Sequence, residues 1–213
     1  MTPTPAAPPR RVSLTSSLGL SERLFASPAE RRLLHEVEAG LARVEAGLPV
    51  DVAFVDDIAD AAGRYLLEAG GKRVRPALTL LTAQLGEGST DSVVAAARAV
   101  EITHLASLYH DDVMDDADLR RGVPSAQRVW SNSVAILAGD LLFARASRIF
   151  SELGERALRI QAETFEQLCL GQHLEVVLDR VVGGPRAHRF VQLAEAELLE
   201  GLGLDAQRTL AES

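Results

Sequence analysis

An all-α fold is predicted by three observations. Long stretches free of Gly and Pro carry apolar residues at helical spacing, Gly/Pro clusters separate these stretches, and no series of alternating strands lies between them. The last of these disfavours a βαβ architecture. Residues 1–20 mix Pro3, Pro5, Pro8 and Pro9 with Arg10, Arg11 and several Ser/Thr without a period, and read as a flexible N-terminal arm ahead of a single helical domain over 21–213. Ser27-Pro28-Ala29-Glu30 then supplies a cap, proline at the first helical position and glutamate three after the cap. Leu33, Leu34, Val37, Leu41, Val44 and Leu48 follow as one apolar stripe.

A second helix is expected from Asp51 to Glu68, ending at Gly70-Gly71, and a third from Pro76 to Leu85, ending at Gly86 to Gly88. Asp91 to Asp115 contains neither Gly nor Pro. It predicts a helix about 37 Å long at 1.5 Å per residue. Ala117 to Pro124 reads as a polar loop, and helices follow over Ser133–Leu153 and from Glu155 to about Leu178, with Gly139 and Gly171 as soft spots. Gly183-Gly184-Pro185 marks a late break before short helices at 187–200 and 205–211. No repeat at a fixed period is present.

The strongest chemical signal is His110-Asp111-Asp112-Val113-Met114-Asp115-Asp116, which puts four acids at the C-terminal end of an apolar helix. That end carries partial negative charge, so clustered carboxylates there cost stability unless a cation compensates them. Asp111 and Asp115 share a face one turn apart, with Asp112 and Asp116 beside them. Oxygen-only ligands that leave room for water and phosphate suit Mg²⁺. The plainer reading is a solvated acidic helix end.

A second signal is Gly70-Gly71-Lys72-Arg73-Val74-Arg75-Pro76, a tight turn, three cations and the start of a helix, which together can build an anion site. It lacks the spacing and the Ser/Thr of a Walker loop, and a basic interhelical loop is its plainer reading. Arg120-Arg121-Gly122 is a third cationic element, which as a surface network would simply neutralise the aspartates. His104 lies seven residues before Asp111 and eleven before Asp115, on nearly the same helix face. Together the acids and the two cationic clusters describe a site for two phosphorylated ligands around Mg²⁺.

Composition narrows the rest. The 213 residues carry a net charge of −8, a balance unlike that of a nucleic-acid binder. Lys72 is the only lysine among the 22 basic residues, and one cysteine with few aromatics points to a reduced, cytoplasmic protein. No apolar run approaches the ~18 residues of a membrane span, and 1–11 carries no apolar leader segment.

Gly-Gly-Lys-Arg-x-Arg-Pro at 70–76, His-Asp-Asp-x-x-Asp at 110–115, Arg-Arg-Gly at 120–122 and Ala-Ile-Leu-Ala-Gly-Asp at 135–140 resemble, in order and spacing, the trans-isoprenyl (polyprenyl) diphosphate synthases. The likeness covers about residues 25–172, and 173–213 reads as a divergent tail. It implies an isoprenoid-synthase-like helical bundle around a central cavity, normally homodimeric with a heteromer as the alternative, and Mg²⁺ as cofactor.

By the same resemblance, Asp111 and Asp115, with Asp112 as neighbour, match the metal-binding aspartates. Lys72, Arg75 and His104, with Arg73 in the same loop, match the residues that hold isopentenyl diphosphate. Arg120 matches a contact to the allylic diphosphate and Arg121 a further contact to isopentenyl diphosphate. The reaction implied is ionisation of the allylic diphosphate, attack of the isopentenyl double bond on the carbocation, and proton loss. Ala106 and Ser107, five and four residues before Asp111, match positions where bulky aromatics stop chain growth, so small residues there imply a long-chain product.

The family's second aspartate-rich motif, with its preceding Lys-Thr pair and glutamine, has no counterpart here. After Asp140 the only aspartates are Asp179 and Asp205, and His173 with Glu175 is a poor substitute. The expectation is therefore a synthase that is truncated or internally deleted. The alternative is a non-catalytic partner, a regulatory subunit or a degenerate copy that keeps the fold and the substrate-facing motifs. A class I terpene cyclase would share the aspartate-rich helix without needing the 70–76 anion loop.

Overall fold

In the computed structural model, residues 27–182 are described, with side chains as far as Val177, together with Ser13 and Thr15. The N-terminal arm, the Gly183-Gly184-Pro185 break and the two terminal helices expected beyond it therefore lie outside the described residues, Ser13 and Thr15 excepted. The chain divides into two compact units, Met1–Leu158 and Arg159–Ser213.

In the first unit, α1 (Pro28–Asp51) starts as the sequence requires. The Ser27 hydroxyl accepts from the Glu30 N–H at 3.2 Å while the Ser27 N–H donates to Glu30 Oε2 at 2.7 Å. Its Val37, Leu41, Val44 and Leu48 are fully buried. α2 (Asp57–Glu68) begins six residues later than expected. Asp56 caps it by accepting from the Ile58 and Ala59 N–H groups, and Arg145 donates to Ala53 O at 2.7 Å with its guanidinium 5.0 Å over the Phe54 ring. A local cap and a distant arginine thus hold 52–56 out of the helix.

α3 (Val74–Ala83) starts two residues before Pro76, which its first turn tolerates because no helical N–H is needed there. α4 (Asp91–Met114) has nearly the bounds expected, capped by Thr90. The expected 117–124 loop contains a small antiparallel hairpin of β1 (Leu119–Arg120) and β2 (Val123–Pro124), with Arg120 opposite Val123. Its two turn residues, Arg121 and Gly122, both have positive φ (53° and 81°), as a type I′ turn requires. A short α5 (Ala126–Val129) leads into α6 (Asn132–Glu152).

α4 is the central element and packs against α1, α3, α5 and α6. Its most extensive packing is with α6, where Gly139 is a contact rather than a soft spot. A β-carbon at Gly139 would lie 2.4 Å from the His110 ring and 3.2 Å from Ala106 O. The described part of the second unit is the continuation of α7 (Glu155–Val182), four residues longer than expected. No described helix is long and apolar enough to cross a membrane.

Candidate active site

The site is built where the last turn of α2, the second half of α4, the start of α3 and the hairpin meet. Lys72 and Arg75 project outward from the loop and first turn of α3, and both are exposed. Arg73, between them, turns inward. Its side chain is 4% exposed, and its guanidinium pairs with Glu45 at 2.5 Å and with the buried Glu101 at 3.0 Å. Arg73 thus belongs to the frame of the loop, and is not the exposed cation of the plainer basic-loop reading.

Arg121 crosses from the hairpin turn to the C-terminal end of α2. It donates to Leu66 O at 2.8 Å, a carbonyl that the helix end leaves unpaired, and to Gly70 O just beyond the helix, and stands 3.9 Å from Glu101. Lys72, Arg73, Val74, Arg75, Glu101, His104 and Arg121 line one open pocket. Its electrostatics act on His104, whose pKa falls to about 4 through burial and the nearby positive charges of Arg75, Arg121, Arg120 and Arg73. Neutral at physiological pH, the ring keeps one N–H donor. Burial pushes the Glu101 carboxyl upward, against the pull of Arg73 and Arg121.

The four aspartates part company. Asp111 is half-buried and Asp115 exposed at the helix end, its N–H donating to Asp111 O at 2.8 Å. Burial first, then the like charge of Asp115, pushes the Asp111 carboxyl above its ordinary range. Asp112 is fully buried and accepts from Arg120 Nε at 2.6 Å, while its Oδ2 has no hydrogen-bond partner among the described residues. Asp112 is therefore a buried partner of Arg120, whereas Asp111 and Asp115 reach solvent. Asp116, at φ 50°, pairs with Arg128 at 3.0 Å, and the same arginine holds Asp118 at 2.9 Å. The cation that answers the exposed acids of this loop is thus Arg128, which the sequence reading did not single out.

Ala106 is fully buried, and Ser107 is half-buried with its hydroxyl donating to His104 O at 2.9 Å. Tyr109 was also missed. Its hydroxyl donates to Ala62 O and accepts from the Leu66 N–H at 3.2 Å, which ties α4 to α2 beneath the pocket. Burial pushes its pKa up to about 12. Glu101 did leave a signal, as an isolated acid within the apolar run from Val93 to Ala106.

Residues 56–194 match the polyprenyl synthetase family. The chain belongs to that family. Among polyprenyl synthetases, the nonaprenyl diphosphate synthase of Mycobacterium tuberculosis is 49% identical over 140 residues, 65% of this chain and 42% of that protein. Component 2 of the heptaprenyl diphosphate synthase of Geobacillus stearothermophilus is 46% identical over 120 residues, 56% of this chain and 37% of that protein. A crystal structure of a polyprenyl synthase from Caulobacter crescentus, complexed with calcium and isoprenyl diphosphate, superposes with a TM-score of 0.69 at 34% identity, covering 77% of this chain and 49% of that one. The isoprenoid-synthase fold is therefore established, and the chain spans less than half the length of each of these relatives.

For a polyprenyl synthetase the implied divalent ion can be tested against the donor set. Among the described residues no three His, Cys, Asp or Glu side chains gather closely enough to enclose a metal. Asp111 and Asp115 nonetheless fit Mg²⁺. This ion is commonly held by one or two carboxylates, with water and phosphate oxygens completing the octahedron, and two like charges one turn apart favour a cation between them.

Proposed function

We propose that this polyprenyl synthetase carries the diphosphate-binding half of a Mg²⁺-dependent prenyltransferase that joins isopentenyl diphosphate to an allylic prenyl diphosphate. The observation that carries this reading is the separation of charge around α4. His104 feels Arg75, Arg121 and Arg73, with which it lines one pocket, whereas Asp111 feels Asp115 and Asp112, and Arg120 acts on both. Two diphosphates with different fates need two such sites. Asp111 and Asp115 would hold Mg²⁺, whose chemistry is to stabilise the charge of the departing allylic diphosphate. Arg120, anchored by Asp112, presents its remaining guanidinium N–H groups toward the same charge.

Lys72 and Arg75 bind the diphosphate of the isopentenyl substrate as exposed cations, and neutral His104 donates a hydrogen bond to it. Arg121 and Arg73 shape the pocket wall. The apolar core beneath α4 keeps water from the carbocation. Small side chains at Ala106 and Ser107 support a long-chain product, in keeping with the names of the nonaprenyl and heptaprenyl relatives. A cytoplasmic homodimer is the assembly proposed, and the name "component 2" borne by one relative supports a heteromer as the alternative.

The test is a chimaera in which residues 27–172 replace the matching segment of the mycobacterial nonaprenyl synthase. It should incorporate labelled isopentenyl diphosphate and lose that activity on Asp111→Ala, whereas a folded but inert chimaera would overturn the reading. Ala106→Phe or Ser107→Phe in the same chimaera should shorten the products, and unchanged lengths would place the stop elsewhere.

A further inference from the structure

The pocket offered to an anion has an acid in its floor. Glu101 is 2% exposed, yet it lines the pocket together with Arg73, Arg75, His104 and Arg121. A carboxylate so placed repels a diphosphate, and its burial is costly unless it is paired. Its pairing is with the loop: Arg73 Nη1 lies at 3.0 Å and Arg121 Nη2 at 3.9 Å.

Both arginines are held in a conformation that L-residues adopt at a cost, with φ 52° at Arg73 and 53° at Arg121. Arg73 stands at the cap position of α3 without making a side-chain cap. The space they share is tight. A β-carbon on Gly71 would sit 2.7 Å from Arg73 Nη1 and 3.1 Å from Arg121 Cζ. Three segments distant in sequence, the 70–73 turn, the hairpin tip and α4, therefore converge on one carboxylate. With Arg73 drawn inward, its neighbours Lys72 and Arg75 are left on the open side.

We propose that Glu101 is a positioning residue, which draws Arg73 and Arg121 into the pocket floor and so holds Lys72 and Arg75 in the spacing that grips a diphosphate. The proposal rests on the reading of this pocket as a diphosphate site. It makes a prediction opposite in sign to simple electrostatics. As a bare charge, Glu101 would weaken anion binding and its removal would tighten it; as a positioning residue, its removal weakens binding.

The experiment is calorimetric titration of inorganic diphosphate, without Mg²⁺, into the full 213-residue chain and its variants, with circular-dichroism melts alongside. Wild type should bind, and Lys72→Ala with Arg75→Ala should bind at least about tenfold more weakly. Glu101→Gln should also lose about tenfold or more. A second variant, Glu101→Leu with Arg73→Met, replaces the buried pair by apolar side chains, an exchange that is often neutral or stabilising, and leaves Glu45, the other partner of Arg73, to the solvent that already reaches it. It should melt near wild type yet fail to regain affinity.

Binding by Glu101→Gln equal to or tighter than wild type overturns the proposal while leaving the pocket reading intact. So does a double variant that regains affinity along with its melting temperature, because Glu101 would then matter only for folding. Should Glu101→Gln fail to fold, the double variant decides alone. If wild type does not bind, or the Lys72/Arg75 variant binds as wild type does, the pocket reading and the positioning role fall together.

Discussion

His104 feels partial burial and four arginines, and its pKa of about 4 lies below the ordinary 6.5 of an unfolded chain. Between those values the unfolded state binds a proton that the folded state does not. Stability is therefore fully present above about pH 6.5 and falls as the pH drops toward 4. A diphosphate in the pocket reverses the local field and raises the pKa. We therefore expect proton uptake on diphosphate binding at about pH 5, read as a dependence of the binding heat on the buffer's ionisation enthalpy and lost in His104→Gln. Asp112 and Arg120 form the other decisive pair. Arg120→Ala leaves the fully buried Asp112 carboxylate without its cation, and a loss of roughly 3 kcal/mol is expected in denaturant melts. Asp112→Asn in that background should restore part of it. The i, i+4 relation of Asp111 and Asp115 was legible because helical geometry alone sets it. The inward turn of Asp112 was not, since its partner reaches it across the loop and hairpin.

The α4–α6 contact is the element on which the site leans, because α4 carries Glu101, His104 and Asp111 and ends at Asp115. Gly139→Ala would put a methyl group 2.4 Å from the His110 ring and 3.2 Å from the Ala106 carbonyl oxygen. Neither neighbour retreats freely. His110 Nε2 is 3.1 Å from Ile136 O and 3.3 Å from Asp140 Oδ1. A destabilisation of about 1–3 kcal/mol is expected, and an unchanged thermal midpoint would show that the helices can part without cost. Capping residues, apolar spacing and glycine breaks made most helix bounds readable, as at Ser27, the Gly70-Gly71 turn and the Gly- and Pro-free run from Asp91. Two features escaped because tertiary contacts help to decide them, beside the local Asp56 cap in the first case. The break at 52–56 depends on Arg145, 92 positions beyond Ala53, and the hairpin depends on an arginine in left-handed geometry whose side chain ties down α2.

At the scale of the molecule, the four sequence motifs pointed to the family and to the helical fold, and the match over residues 56–194 establishes both. The same sequence carries one carboxylate bank where the resemblance implies two. Removal of a single preorganised electrostatic contact costs ~10² to 10³ in rate, so the 213-residue chain assayed by itself should turn over far more slowly than an intact synthase. Label incorporation at a rate comparable with an intact synthase would refute this. The central claim is that Asp111 and Asp115 hold a divalent ion against a diphosphate beside a separate cationic pocket. Its most direct measurement is calorimetric titration of inorganic diphosphate with and without Mg²⁺. Mg²⁺ should strengthen binding to wild type, and Asp111→Ala with Asp115→Ala should abolish that increment while leaving the metal-independent binding at Lys72 and Arg75. A double variant that keeps the full Mg²⁺-dependent increment would contradict the account.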